Sequence, residues 1–241
     1  MKKFYSLSSH PGTTGQFFYN SFFKMQNLEA EYTPLAVANI DFHQTVDKLK
    51  NEKAAGFSIS MPYKQKILDH LDYQSLDALA YNSCNTVVIL NNKLYGYNTD
   101  LAGVIAAVSK ITPRDKVIIL GNGCLGNMFS KYMKILGYRN VKIVSRSLNN
   151  WNERHNDHHV LINCTSLGTV NNDSPVDYLS KKTRLVIDLA IKPGTLKEIS
   201  KNINYFSGLD FYMHQFLKQY FIYTGRKITE QLFKDVLNTK L

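Results

Sequence analysis

Residues 116–126 read KVIILGNGCLG. Val117, Ile118, Ile119 and Leu120 run without a polar interruption, as in a strand covered on both faces. Gly121, Gly123 and Gly126 then follow as G-x-G-x-x-G, and the segment NMFSKYMKILG behind them has helical spacing. A second strand-like run, VKIVSR at 141–146, closes a β-α-β unit. In that setting Gly121 permits the tight turn, Gly123 lets the backbone approach a pyrophosphate, and Gly126 lets helix and strand pack closely. The helix N-terminus holds the phosphates. Gly121, Asn122, Gly123, Cys124, Leu125 and Gly126 are therefore candidate cofactor-binding residues.

The end of the second strand selects between cofactors. Sites for NAD usually place an acid there, about 20 residues on, to bind the ribose 2′-hydroxyl. This chain has Ser145, Arg146 and Ser147 instead. No carboxylate stands where it would repel a 2′-phosphate, Arg146 offers a planar cation, and both serines offer hydroxyls. The expected cofactor is NADP(H).

Outward from this unit, strand and helix signals alternate along the whole chain. KFYSL, YTPLAV and FSIS read as strands, separated by helical segments at TTGQFFYNSFFKMQNL, with Thr13 or Thr14 as cap, and at DFHQTVDKLKN. NTVVILNNKLYGYN reads as a hairpin turning at Asn91-Asn92. VLINCT, LVIDLA and INYFSG are further strands, and two helices close the chain. The expectation is an α/β fold: an N-terminal α/β substrate domain plus a Rossmann-type NADP-binding domain, with parallel sheets and the site in the cleft between them. The break at ITPRD suggests one domain before it and a second after it, read as 1–101, with helices 216–241 packing back on it, and 102–215.

Composition is that of a globular protein. The chain has 241 residues, 44% of them apolar, and a formal charge of +10. The charge suits anionic ligands, but no run of five basic residues and no nucleic-acid motif occurs, so no nucleic-acid partner is expected. No apolar run approaches the ~18 residues that span a bilayer. MKKFYSLSSH is too polar for a secretory leader, so a cytoplasmic protein without a membrane partner is expected. The three cysteines stand far apart and indicate neither disulfides nor a zinc cage. His155, His158 and His159 in RHNDHH read as a solvated loop, and no metal is expected.

One lysine stands out. In GFSISMPYKQK, residues 56–66, Pro62 suits the first position of a helix, which puts Lys64 in the first turn, where the dipole disfavours a cation. A reductase acting on a ketone needs a proton donor beside the carbonyl, and a shielded lysine can serve. Asp100, in LYGYNTD, is the candidate partner.

Taken together, SISMPYK (58–64), CNTVV (84–88), GYNTD (96–100), the glycine turn, Ser145-Arg146-Ser147, NCTSLG (163–168) and Gly208-Leu209 with Gln215 resemble the shikimate dehydrogenase family. The family pattern runs N-V-T-x-P-x-K, A-x-N-T-V, G-x-N-T-D, N-R-T, N-A-T-S-x-G and G-L-x-x-x-x-x-Q, in that order. The resemblance implies NADPH-dependent, reversible reduction of 3-dehydroshikimate to shikimate. It implies that Lys64 and Asp100 are the catalytic pair, and that Ser60 and Asn85 hydrogen-bond ring hydroxyls. Gln215 would reach the substrate from the closing helix, and Thr165, Leu189 and Gly208 would line the nicotinamide side.

There are departures. The family's first loop carries S-x-S-P for the substrate carboxylate; here Thr13 can replace the first serine and Gly15 cannot replace the second. Residues 6–12, SLSSHPG, look like a divergent shikimate-dehydrogenase-like branch. A substrate-contacting tyrosine falls at Ile191. These changes keep two alternatives open: a related dehydrogenase acting on quinate or another cyclic hydroxy acid, and a catalytically weak NADP-binding regulatory protein. The partner in the main reading is a small cyclic hydroxy acid, with the chain a monomer or homodimer.

Overall fold

The computed structural model describes residues 1–167, 173–190 and 194–239. It forms two compact units, Met1–Thr99 together with Phe216–Leu241, and Asp100–Gln215.

The first unit contains β1 (Lys2–Ser8), α1 (Thr14–Met25), β2 (Ala30–Ala36), α2 (Phe42–Asn51), β3 (Gly56–Ile59), β4 (Tyr73–Gln74), α3 (Leu76–Tyr81), β5 (Thr86–Leu90) and β6 (Lys93–Tyr97). Its sheet runs β2-β1-β3-β5-β6-β4. β1 pairs in parallel with β2 and β3, whereas β5 is antiparallel to both β3 and β6, so this sheet is mixed rather than wholly parallel. The two-residue loop accounts for the β5–β6 pairing: Asn91 and Asn92 take φ of +50° and +58°, the twist that a tight hairpin needs. Leu7, Phe57, Ile59 and Val87 bury one sheet face with Phe42, Val46 and Leu49 of α2.

One local reading is corrected. No helix starts at Pro62. The Met61–Pro62 peptide is cis, and a 3-10 helix begins only at Lys66 and runs to His70. The Lys64 carbonyl accepts from the Cys84 amide at 2.8 Å, next to the start of β5, so it is not available to a helical ladder. The dipole argument about Lys64 therefore falls. Tyr73 and Gln74 pair with β6, and the next helix starts after Ser75, whose hydroxyl accepts from Ala78 N at 3.3 Å.

The second unit contains α4 (Asp100–Val108), β7 (Val117–Leu120), α5 (Cys124–Ile135), β8 (Val141–Val144), β9 (Val160–Asn163), β10 (Leu185–Asp188), the short α6 (Thr195–Glu198), β11 (Asn204–Ser207) and the start of α7 (Gly208–Thr224). Its sheet is parallel throughout, in the order β11-β10-β9-β7-β8. Every residue of β7, β9 and β10 is buried, which is why these runs show no alternation. Numbered within the unit the order is 2-1-3-4-5, a doubly wound sheet whose direction reverses between β7 and β9. Ligands bind beyond the carboxyl ends of the strands at such a reversal.

The end of α7 and α8 (Glu230–Asn238) belong to the first unit. Their aromatics pack on α1: Phe18 stacks on Phe233 at 4.2 Å, and Phe216 lies 5.7 Å from Phe18 and 4.6 Å from Tyr19. Among the described residues no helix is long and apolar enough to cross a membrane.

Candidate functional site

In the first unit, two backbone bonds hold the segment 59–64 against the residues that open the hairpin. Ile59 N donates to Asn85 O at 2.9 Å and Cys84 N donates to Lys64 O at 2.8 Å. Ser60, Lys64 and Asn85, far apart in sequence, are thereby brought to one place at the carboxyl end of β3. Ser60 is exposed and Lys64 half-buried, while Asn85 is only 1% exposed.

Asn85 is held by a polar network that the sequence reading missed. Its Oδ1 accepts from the Thr99 amide at 2.8 Å, the Thr99 hydroxyl at 3.0 Å and the Thr86 hydroxyl at 2.8 Å. Gln219 of α7 completes it. Its Nε2 donates to Thr86 Oγ1 at 2.5 Å and Asn85 O at 3.2 Å, and its Oε1 accepts from Tyr19 at 2.7 Å. Tyr19, Thr86, Thr99 and Gln219 are all buried, so each bond is made in a medium where leaving it unmade is costly. Three donors on one oxygen fix which way the Asn85 amide points. The available signal was spacing: Gln219 lies one helical turn beyond Gln215.

Thr13 precedes α1 and is exposed, and its side chain makes no capping bond to that helix. Gly15 lies in the first turn and offers no hydroxyl. Gln215 is half-buried on α7, in the second unit. Asp100 is the first residue of α4, also in the second unit, and is buried. Ile191, and Gly168 of the NCTSLG stretch, lie outside the described residues.

In the second unit, a cavity of about 310 Å³ opens at the sheet reversal, lined by Gly121, Asn122, Ser145, Arg146, Ser147, Trp151, Thr165, Ser166 and Leu167. Gly121 follows β7 with φ of +95°, a left-handed value that glycine adopts freely. Gly126 is buried, and a Cβ there would stand 1.9 Å from the Gly121 carbonyl. A Cβ on Gly123, by contrast, would meet nothing within 4 Å. The turn therefore uses Gly126 for its own packing and leaves open space over Gly123, at the N-terminus of α5 where Cys124 and Leu125 follow. That space fits a phosphate-bearing ligand.

The cavity's floor is braced. Ser147 Oγ donates to Asn122 Oδ1 at 3.1 Å, Ser145 Oγ accepts from Leu148 N at 3.2 Å, and Ser145 N donates to Asn150 Oδ1 at 2.9 Å. Opposite, Asn163 Oδ1 accepts from both the amide and the hydroxyl of Thr165, at 3.0 and 2.6 Å, and its Nδ2 donates to Asp188 Oδ1 at 2.9 Å. Asp188 also accepts from Tyr205, and burial together with that bond holds the phenol above its ordinary range. Asn163, Asp188 and Trp151 were not among the expected site residues. Leu189 and Gly208 pack on each other, where a Cβ on Gly208 would stand 2.6 Å from the Leu189 carbonyl and 2.3 Å from that of Ala190. They do not line this cavity. The RHNDHH stretch is not wholly solvated, since His158 is buried; among the described residues no group of three potential ligands could hold a metal.

Residues 14–87 match the family model of the shikimate dehydrogenase substrate binding domain. The chain is similar to the shikimate dehydrogenase (NADP(+)) of Staphylococcus haemolyticus, 29% identical over 229 residues and 85% of each chain. Among solved structures, the shikimate 5-dehydrogenase of Thermus thermophilus, in complex with NADP(H) and shikimate, superimposes with a TM-score of 0.85 at 19% identity over the whole of both chains. The 5-ketofructose reductase of a Gluconobacter species does so with a TM-score of 0.82 at 24% identity, over 100% of this chain and 99% of that one. The chain thus resembles the shikimate dehydrogenase family in the sequence of its first unit, and it shares the fold of these enzymes.

Proposed function

We propose that this chain is an NADP-dependent oxidoreductase of the shikimate dehydrogenase type, interconverting 3-dehydroshikimate and shikimate. The observation that carries the reading is the glycine turn at the sheet reversal, open over Gly123 and flanked by Arg146, in a chain whose residues 14–87 match the shikimate dehydrogenase substrate binding domain. NADP(H), when bound, supplies or accepts the hydride at its nicotinamide ring. The backbone around Gly121 to Gly126 approaches the pyrophosphate, and Arg146 with Ser145 and Ser147 meets the 2′-phosphate. Thr165, Leu189 and Gly208 lie on the nicotinamide side.

On the substrate, Ser60 and Asn85 hydrogen-bond ring hydroxyls, Gln215 adds a further contact, and Thr13 approaches the carboxylate. Lys64 gives its proton to the carbonyl oxygen as hydride reaches the carbon, and takes one back from the hydroxyl in the reverse direction. Asp100 is its partner in holding and relaying that proton. The Staphylococcus haemolyticus relative, named an NADP(+) shikimate dehydrogenase, supports this choice of substrate and cofactor.

Gly15 favours a second reading, in which quinate or another cyclic hydroxy acid is the substrate, because one hydroxyl for the ring carboxylate is missing. Losing one such contact weakens binding by about 1–3 kcal/mol. The test is oxidation of shikimate and quinate with NADP+, in the parent protein and in Lys64→Ala. Removing the proton carrier lowers kcat by about 10²–10⁴-fold with little change in cofactor affinity. An unchanged kcat in Lys64→Ala would rule out the assigned role.

A further inference from the structure

The chain has one tryptophan, Trp151, and it stands in the wall of the cavity at the sheet reversal. Two guanidinium groups lie over its indole: that of Arg154 at 5.2 Å from the ring centroid and that of Arg146 at 5.6 Å. They differ in their other partners. Arg154 donates to the Trp151 carbonyl at 3.0 Å and lies 3.7 Å from Asp177. Arg146 makes no carboxylate pair among the described residues and is exposed at the cavity mouth. The indole is itself fixed, because it packs on the apolar cluster of Val144 and Leu161, and Asn150 before it is tied to Ser145 N and Ile143 O.

We infer that Trp151 determines cofactor specificity by holding the Arg146 guanidinium in place at the cavity, so that the 2′-phosphate of NADP(H) meets a cation already fixed. This rests on the NADP(H) reading above. An exposed arginine otherwise loses rotamer freedom when it engages a phosphate, and a ring that restrains it beforehand lowers that cost. The cation–π contact does the restraining without a carboxylate, which would compete with the phosphate for the same guanidinium. Trp151 is a positioning residue here: it acts on the 2′-phosphate through Arg146.

The test is direct binding of NADP+ and NAD+ by calorimetry to the parent protein and to Trp151→Leu, Trp151→Phe and Arg146→Ala. Leucine keeps apolar bulk against Val144 and Leu161 and removes the π face; phenylalanine keeps a ring. Trp151→Leu is expected to weaken NADP+ by about three- to thirtyfold while NAD+ changes by less than about twofold. Trp151→Phe retains most of the preference. In Arg146→Ala the preference is already lost, and adding Trp151→Leu changes it little, the non-additivity of two residues acting as one unit. In the parent protein, NADPH binding quenches the single indole's fluorescence with sensitised nicotinamide emission. Equal weakening of both cofactors in Trp151→Leu, or a full NADP+ preference retained there, overturns the inference. A parent protein that itself prefers neither cofactor would instead overturn the NADP(H) reading on which it rests.

Discussion

At the residue scale the glycine turn separates two roles that the motif alone runs together. A methyl group on Gly126 would overlap the Gly121 carbonyl, whereas one on Gly123 would meet open space. Gly126→Ala is therefore expected to destabilise the protein by about 1–3 kcal/mol, the usual cost of overpacking. Gly123→Ala is expected to leave stability nearly unchanged and to weaken NADP+ binding. Denaturant unfolding beside cofactor titration separates them; loss of stability in both variants would contradict the assignment. His158 supplies a pH prediction. Burial depresses its pKa despite the Asn156 carbonyl, and its Nε2 is buried without a partner. The folded state thus holds it neutral, while the unfolded chain takes up a proton near pH 6.5. Stability is present above that pH and falls as pH drops below it. Denaturant unfolding at about pH 8 and pH 5 checks this, and His158→Gln flattens the slope between them. Carboxylates with lowered pKa, such as Asp115, act only below about pH 4.

At the scale of elements, α7 holds the site by its polar side. Gln219 is the link between the helix, Tyr19 of α1 and the Asn85–Thr86 pair. Gln219→Leu removes three buried hydrogen bonds, to Tyr19, Thr86 and the Asn85 carbonyl, so a loss of about 1–3 kcal/mol is expected. A rise in substrate KM with an unchanged NADP+ affinity should accompany it. A variant as stable as the parent would show the network to be incidental. The elements were largely legible in the sequence: β7 by its unbroken apolar run, the β5–β6 hairpin by Asn91-Asn92, α5 by the glycines before it. The segment after β3 was not. A proline following a strand reads as a helix start, and only the Cys84–Lys64 bond, between residues twenty apart, shows that the Lys64 backbone is used elsewhere. Local rules carry no term for such a partner. Thr86, Thr99, Asn163 and Asp188 escaped for the same reason, because their roles exist only in the folded contacts.

At the scale of the whole molecule, the doubly wound order of the second sheet was not readable from strand signals, since the two orders of such sheets use the same local pattern. What was readable was their alternation, and with it the α/β class. The charge of +10 suits a protein whose ligands are anions, yet charge alone names none of them. The proposed reaction moves a hydride between NADP(H) and a cyclic hydroxy acid. The measurement that bears on it most directly is NADPH formation by the parent protein from NADP+ and shikimate, with quinate and NAD+ in parallel. NADP-linked turnover on shikimate is expected, with NAD+ a poor substitute. Tight NADPH binding with no turnover on either ring acid would contradict it.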